Sequence, residues 1–299
     1  MRTESIKPQL AHIPENLAYR SFSAAYGNVY TARQMLQLFQ RALGEFVPRE
    51  DRWHEDGRVI DPFRPGLGFP ALSDVEFDAA TKVHLAAVRR AVEQATVIIV
   101  TLGLTEAWED RADGAVYPTC PGSVGGTFNP DRHVFRNFRY ADIVSDLREF
   151  IRVARGVNPT LRFVVTVSPV FLVATATDHH VLAASVYSKS VLRAAAGDVC
   201  DDHEDAAYFP AYEIVTGPQA PPSYIAPNLR AVTPEGIEAV MSALLGAKGG
   251  DIHAETEQSS ESDDAYALSN LIAAAECDEE MLDRRRESNA LARTPPDLC

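Results

Sequence analysis

TVIIVTLGLTEAW, residues 96–108, and LRFVVTVSPV, residues 161–170, share one pattern: an unbroken aliphatic and β-branched run that stops at a glycine, hydroxyl or proline. A half-exposed strand alternates apolar and polar residues, whereas a run apolar at every position needs cover on both faces, as parallel strands in α/β sheets have. A helical pattern precedes each run. SDVEFDAATKVHLAAVRRAVEQA opens with Ser73 as cap and Glu76 three residues on, and the helix Ala141–Ala154 ends near Gly156-Val157-Asn158-Pro159. Helix then strand, twice, predicts two inner strands, Thr96–Thr101 and Leu161–Val167, side by side and parallel.

A third cycle follows: a helix over Ser185–Val199, a strand around Ala206–Phe209 and a helix from Pro234 to Leu245. The expected architecture is a mostly parallel sheet with helices on both faces. Upstream, Met35, Leu36, Leu38, Phe39 and Leu43 recur at helical spacing, with Thr31 placed as N-cap and Gly44 as the stop. The first 25 residues read as an irregular arm. Glu45–Ser73, rich in Pro, Gly and charge, reads as a long surface excursion with at most a short strand at Arg58–Asp61. From Lys248 the polar, acidic GGDIHAETEQSSESDD reads as a linker, and beyond it Leu268, Leu271, Ile272 and Ala275 form an amphipathic stripe that either packs back or binds a protein partner. The chain thus divides into an α/β domain, 1–247, and an acidic C-terminal tail, 248–299.

Composition narrows the classes. The 299 residues, 46% hydrophobic, can bury one sizeable core. Of the net charge of −14, residues 251–299 carry −9, from 13 acidic and 4 basic side chains, so phosphate backbones and anionic membranes are disfavoured as partners. No segment reaches the roughly 18 apolar residues of a membrane helix, and no signal-peptide pattern opens the chain, so a cytoplasmic location is expected. Cys120, Cys200, Cys277 and Cys299 form no CxxC pair and no His/Cys cluster, so reduced thiols and no metal site are expected. No GxSxG elbow, Walker loop or GxGxxG fingerprint is present, and no cofactor is expected.

Ligands of open parallel sheets bind beyond the carboxyl ends of the strands. The first strand exit delivers Gly103, Thr105, Glu106 and Trp108; these either furnish a binding crevice or form a tight turn in which Thr105 or Glu106 caps and Trp108 packs. The second exit delivers Ser168. Adjacent His179 and His180 project differently and lack metal-ligand spacing, so a single loop histidine reads better as a general base than as a ligand, with an ordinary surface-loop histidine as the alternative. Ser188-Lys189 has the look of a Ser/Lys pair but falls within a predicted helix, where Lys189 should be solvated and a structural role is preferred.

NVYTARQMLQLF (28–39), TLGLTEAW (101–108), VYPTCPG (116–122), VTVSPV (165–170), HVLAASVYSKSVLRAAAG (180–197) and YFPAYEIVTG (208–217) occur in order. Together they resemble the GSCFA family over roughly residues 20 to 245. That family is similar to SGNH hydrolases. The resemblance implies a flavodoxin-like three-layer sandwich and a serine esterase or acyltransferase acting on an acylated carbohydrate or lipid. It also implies roles. Thr105 stands where an Asn oxyanion donor is usual, with Asn28 as a second donor. Arg230-Ala231-Val232-Thr233 occupies the place of an Asp-x-x-His block, which leaves His180 as base and Glu106 as its orienting carboxylate. Gly103, Trp108 and Ser168 would line the substrate crevice. The Gly-Ser-Cys-Phe-Ala run that holds the family's presumed nucleophile does not occur in these 299 residues, and Ser21 and Ser23 do not replace it. Without that segment's strand, unpaired backbone and exposed apolar side chains are expected beside the sheet. The alternative is a non-catalytic ligand-binding or assembly protein that uses the crevice and the acidic tail.

Overall fold

The computed structural model of the chain describes residues 24–65 and 70–246. The opening arm with Ser21 and Ser23, the acidic linker, the Leu268–Ala275 stripe, Cys277 and Cys299 lie outside the described residues.

Helix α1, Ala32–Leu43, begins at Thr31, whose hydroxyl accepts from Gln34 N at 3.2 Å while Gln34 Oε1 accepts from Thr31 N at 3.1 Å. This reciprocal capping box satisfies two backbone donors, and Gly44, at φ 78°, takes the left-handed conformation that ends the helix. Helix α2, Asp74–Gln94, is capped by Ser73, and Glu76 returns a carboxylate to Leu72 N at 2.9 Å. Both starts fall where the sequence places them.

The excursion is more ordered than expected. Strands β1, Trp53–Glu55, and β2, Arg58–Ile60, form an antiparallel hairpin. Asp56 and Gly57, both at positive φ, make its two-residue turn. Trp53, Val59, Asp61 and Arg64 are buried, so the segment carries core of its own and is not merely surface. Single residues flanked by charge gave no periodic signal of this.

Strand β3, Val97–Leu102, pairs in parallel with β7, Arg162–Val167, in the register Val97↔Arg162 to Leu102↔Val167. Strand β8, Ala206–Phe209, lies on the far side of β7, giving the order β3-β7-β8. Helix α3, Tyr140–Val157, and helix α4, Val181–Asp201, cover one face. Leu147, Phe150 and Ile151 of α3 and Leu192, Ala195 and Val199 of α4 join Val100, Leu102, Phe163 and Val165 in the main core. A smaller cluster gathers Val215 of α5, Ala211–Thr216, with Ile237 and Met241 of α6, Pro234–Gly246.

One expectation is corrected. Strand β7 is inner, but β3 stands at the sheet edge, with no strand on its other side among the described residues. Its odd-numbered side chains, opposite the core-facing Val100 and Leu102, are open: Val97 is 39% and Ile99 51% exposed. Cover on both faces therefore fails at β3 among the described residues.

The segment after β3 also departs from a simple turn. Strand β4, Glu106–Asp110, pairs antiparallel with β5, Val116–Tyr117, and with β6, His133–Asn137. This second sheet packs by aromatic contacts: Trp108 lies 5.3 Å from Phe128 and 5.7 Å from Phe135, and Tyr117 lies 5.7 Å from Trp53 of the hairpin. A Cβ on Gly126 would meet the Trp53 ring at 2.5 Å, so the loop before β6 closes onto the hairpin only through glycine.

Candidate functional site

The carboxyl ends of β3 and β7 are joined by Ser168 N donating to Leu102 O at 2.9 Å, and the chain then leaves β3 through Gly103-Leu104-Thr105. This turn is held from two sides. Gly103 N and Leu104 N both donate to Tyr30 O, at 3.0 and 2.9 Å, and a Cβ on Gly103 would lie only 3.1 Å from that oxygen. From the other side, Lys189 Nζ donates to Gly103 O at 2.7 Å and Thr105 N donates to Ser188 Oγ at 3.0 Å.

Lys189 was expected in solvent; instead it and Ser188 are each 1% exposed. Helix α4 begins at Val181, four residues ahead of the predicted start, and its packing against the sheet turns both side chains inward onto the β3 exit. The sequence held one signal of this, Ser185, Ser188 and Lys189 at i, i+3 and i+4, which share a helix face. Ser185 also serves the site, its Oγ accepting from Leu172 N at 3.1 Å.

Each candidate side chain has a defined place. Thr105 is fully buried; its carbonyl accepts from Phe138 N at 2.8 Å, and its hydroxyl has no partner. Glu106 accepts from Thr175 Oγ1 at 2.6 Å and from Ala176 N at 3.2 Å, so its carboxylate pins the loop between β7 and α4. His180 follows in that loop as the exposed N-cap of α4, its Nδ1 accepting from Leu182 N at 3.2 Å. A ring nitrogen that accepts carries no proton, so the neutral tautomer bears its proton on Nε2, and that atom can donate but not take a proton. Among the described residues Glu106 and His180 share no hydrogen bond; both serve the 175–182 segment. Ser168 Oγ accepts from Val170 N at 3.2 Å. Trp108 faces the aromatic cluster of the second sheet. Asn28 lies two residues before Tyr30 and lines a small cavity beneath α1 with Arg41 and His84.

The loop before α6 supplies no alternative base, since residues 220–234 contain no Asp, Glu or His. Asn228 Oδ1 there accepts from Arg230 N and Ala231 N, at 3.0 and 2.9 Å, and Arg230 Nε donates to Phe171 O at 3.0 Å. Among the described residues no group of three or more His, Cys, Asp or Glu side chains is placed to hold a metal ion, and no helix is long and apolar enough to cross a membrane.

A parallel sheet whose exits are braced by one buried helix face, with an antiparallel aromatic sheet built onto the first exit, defines a mixed α/β protein. The GSCFA family model matches residues 5–244, and the chain belongs to that family. No curated protein and no solved structure matches it significantly.

Proposed function

We propose that this chain is the body of an SGNH-type serine esterase or acyltransferase for an acylated carbohydrate or lipid. In this reading it is a flavodoxin-like three-layer domain that turns over substrate only when a nucleophile-bearing strand stands beside β3. The observation that carries the reading is the outer edge of β3 next to the Gly103 turn, which pairs with no strand among the described residues. A strand added there in parallel would end beside Gly103, where a serine could attack an ester carbonyl and where the family resemblance assigns oxyanion donation to Thr105 and Asn28. His180 would act as base after rotating out of its cap, which frees Nδ1 to hold a proton and Nε2 to accept one; Glu106 would then orient it. Gly103, Trp108 and Ser168 would bound the acyl or sugar group. A cytoplasmic location and recruitment of a protein partner by the acidic tail belong to the same reading.

The test has two parts. The reading frame upstream of Met1 is examined for a Gly-Ser-Cys-Phe-Ala segment, and the 299-residue chain and the extended protein are assayed on a short-chain nitrophenyl ester. The chain alone is expected to be inactive and the extended protein active, with activity lost when the segment's serine becomes alanine. An extended protein without serine-dependent turnover would reject ester hydrolysis of that substrate.

A second reading, a non-catalytic ligand-binding protein, is favoured by one observation. The carboxylate of Glu106, the hydroxyl of Ser168 and the Nδ1 of His180 are all engaged in local hydrogen bonds. Under this reading the extended protein binds acylated saccharides but leaves them intact.

A further inference from the structure

Beneath the 24–30 segment lies a small cavity of about 20 Å³, lined by Asn28, Gln34, Gln37, Arg41, Arg64 and His84 among others. Most of its polar walls are already satisfied. Gln37 donates to Gly114 O at 2.7 Å and accepts from Val116 N at 2.9 Å. Gln34 Oε1 serves the α1 cap. Arg64 pairs with Asp61 at 2.7 Å and donates to Ala25 O at 3.2 Å.

Two groups remain. His84 is 1% exposed and its Nε2 is buried without a partner. Arg41 is 7% exposed, and its guanidinium makes no hydrogen bond among the described residues, lying 4.0 Å from the Phe63 ring centroid. Asp61 is bonded to Arg64, and Asp51, the other carboxylate whose charge reaches Arg41, is bonded to Arg52, so among the described residues no carboxylate bonds the Arg41 guanidinium itself. A buried charge without a bonded counter-charge is strongly disfavoured.

We propose that the cavity between Arg41 and His84 is a binding site for one small monovalent anion of halide size. The volume fits, since a site of roughly 10–15 Å³ admits one water-sized sphere. The charge fits as well, and Arg41 has donors to spare. His84 sets the pH dependence. Its Nδ1 lies 2.7 Å from Ala24 O, which can only accept, so Nδ1 holds the proton. Burial, then the charge of Arg64, lowers the ring's pKa to about 3, which leaves a lone pair on Nε2. An anion is repelled by that lone pair and attracted by the imidazolium, so uptake of the anion draws a proton onto Nε2 and strengthens as pH falls. The groups facing the ring are Arg41 from α1, Asp61 and Arg64 from the loop after β2, and the Ala24 carbonyl. Because Asn28 and Val29 form part of the wall, occupancy also steadies the segment that leads to Tyr30 O and the Gly103 turn.

The 299-residue chain, prepared free of chloride, would be titrated with chloride or bromide against methanesulfonate at constant ionic strength, and crystals grown in bromide at pH 5 examined for anomalous scattering. A saturable rise in Tm of about 3 °C is expected at tenfold saturation. The rise should be larger at pH 5 than at pH 8 and absent in Arg41→Met, with a bromide peak within hydrogen-bonding reach of Arg41. In His84→Gln the halide response should persist but lose its dependence on pH. Water alone in the cavity of bromide crystals, or an unchanged halide response in Arg41→Met, would overturn the proposal. If Arg41→Met fails to fold, the bromide peak decides by itself.

Discussion

Thr105 and Ser188 share one hydrogen bond yet should respond to substitution in opposite ways. Ser188→Ala removes the acceptor for Thr105 N and leaves a buried N–H unsatisfied, so chemical denaturation should show a loss of about 1–3 kcal/mol. Thr105→Val removes a buried hydroxyl that has no partner, keeps the shape, and should be neutral or stabilising by up to about 1 kcal/mol. A marked destabilisation in Thr105→Val would mean that the hydroxyl is bonded after all. The same substitution separates roles in the extended protein, because an oxyanion donor lost at this position lowers turnover while stability holds. His180 makes the same point: one imidazole nitrogen cannot cap a helix and hold the proton a base needs on that side, so its two roles exclude each other in a single rotamer.

Between elements, α1 and α3 are joined by Arg33 Nε and Asp146 Oδ1 at 2.6 Å, with Asp146 only 3% exposed. Burial outweighs the ion pair and raises the Asp146 pKa from 3.8 to about 6. A carboxyl whose folded pKa exceeds its unfolded value favours the folded state most when protonated. That contribution is fully present below pH 3.8 and is lost as pH rises through about 6. The urea midpoint of the wild type, compared with that of Asp146→Asn, should therefore fall as pH goes from 4 to 7. A difference that grows instead would show the Arg33 pairing to be the stronger effect. The ends of α1 and the start of α2 were legible because caps are local: Thr31 with Gln34, Ser73 with Glu76, and Gly44 at positive φ act within four residues of themselves, whereas the start of α4 was not. The hairpin β1–β2 and the β4-β5-β6 sheet were not legible, because their strands are short, mixed in polarity and held together by partners up to some 70 residues away, such as Trp53 and Tyr117.

For the molecule as a whole, the outer edge of β3, which pairs with no strand among the described residues, is the feature with the largest consequence. Arg162 N bonds Thr96 O and Ser168 N bonds Leu102 O, so even-numbered β3 residues face β7, and the amides of Val97, Ile99 and Thr101 point outward. Hydrogen exchange followed by NMR should find Ile99 and Thr101 amides fast and Val165 slow in the 299-residue chain. In an extended protein with a strand beside β3, the outward amides should become protected; continued fast exchange there would remove the support for a strand-completed site. Sequence by itself determined the α/β class, the parallel pairing of two aliphatic runs, the helix caps and the family, because each is written in nearest-neighbour chemistry or in unbroken motifs. Tertiary structure alone decided that Lys189 and Ser188 are buried under the strand exits, that β3 is an edge, and that Arg41 and His84 meet in one cavity. Those facts depend on helix phase and on contacts between distant segments, to which hydrophobic periodicity along a single chain carries no reference.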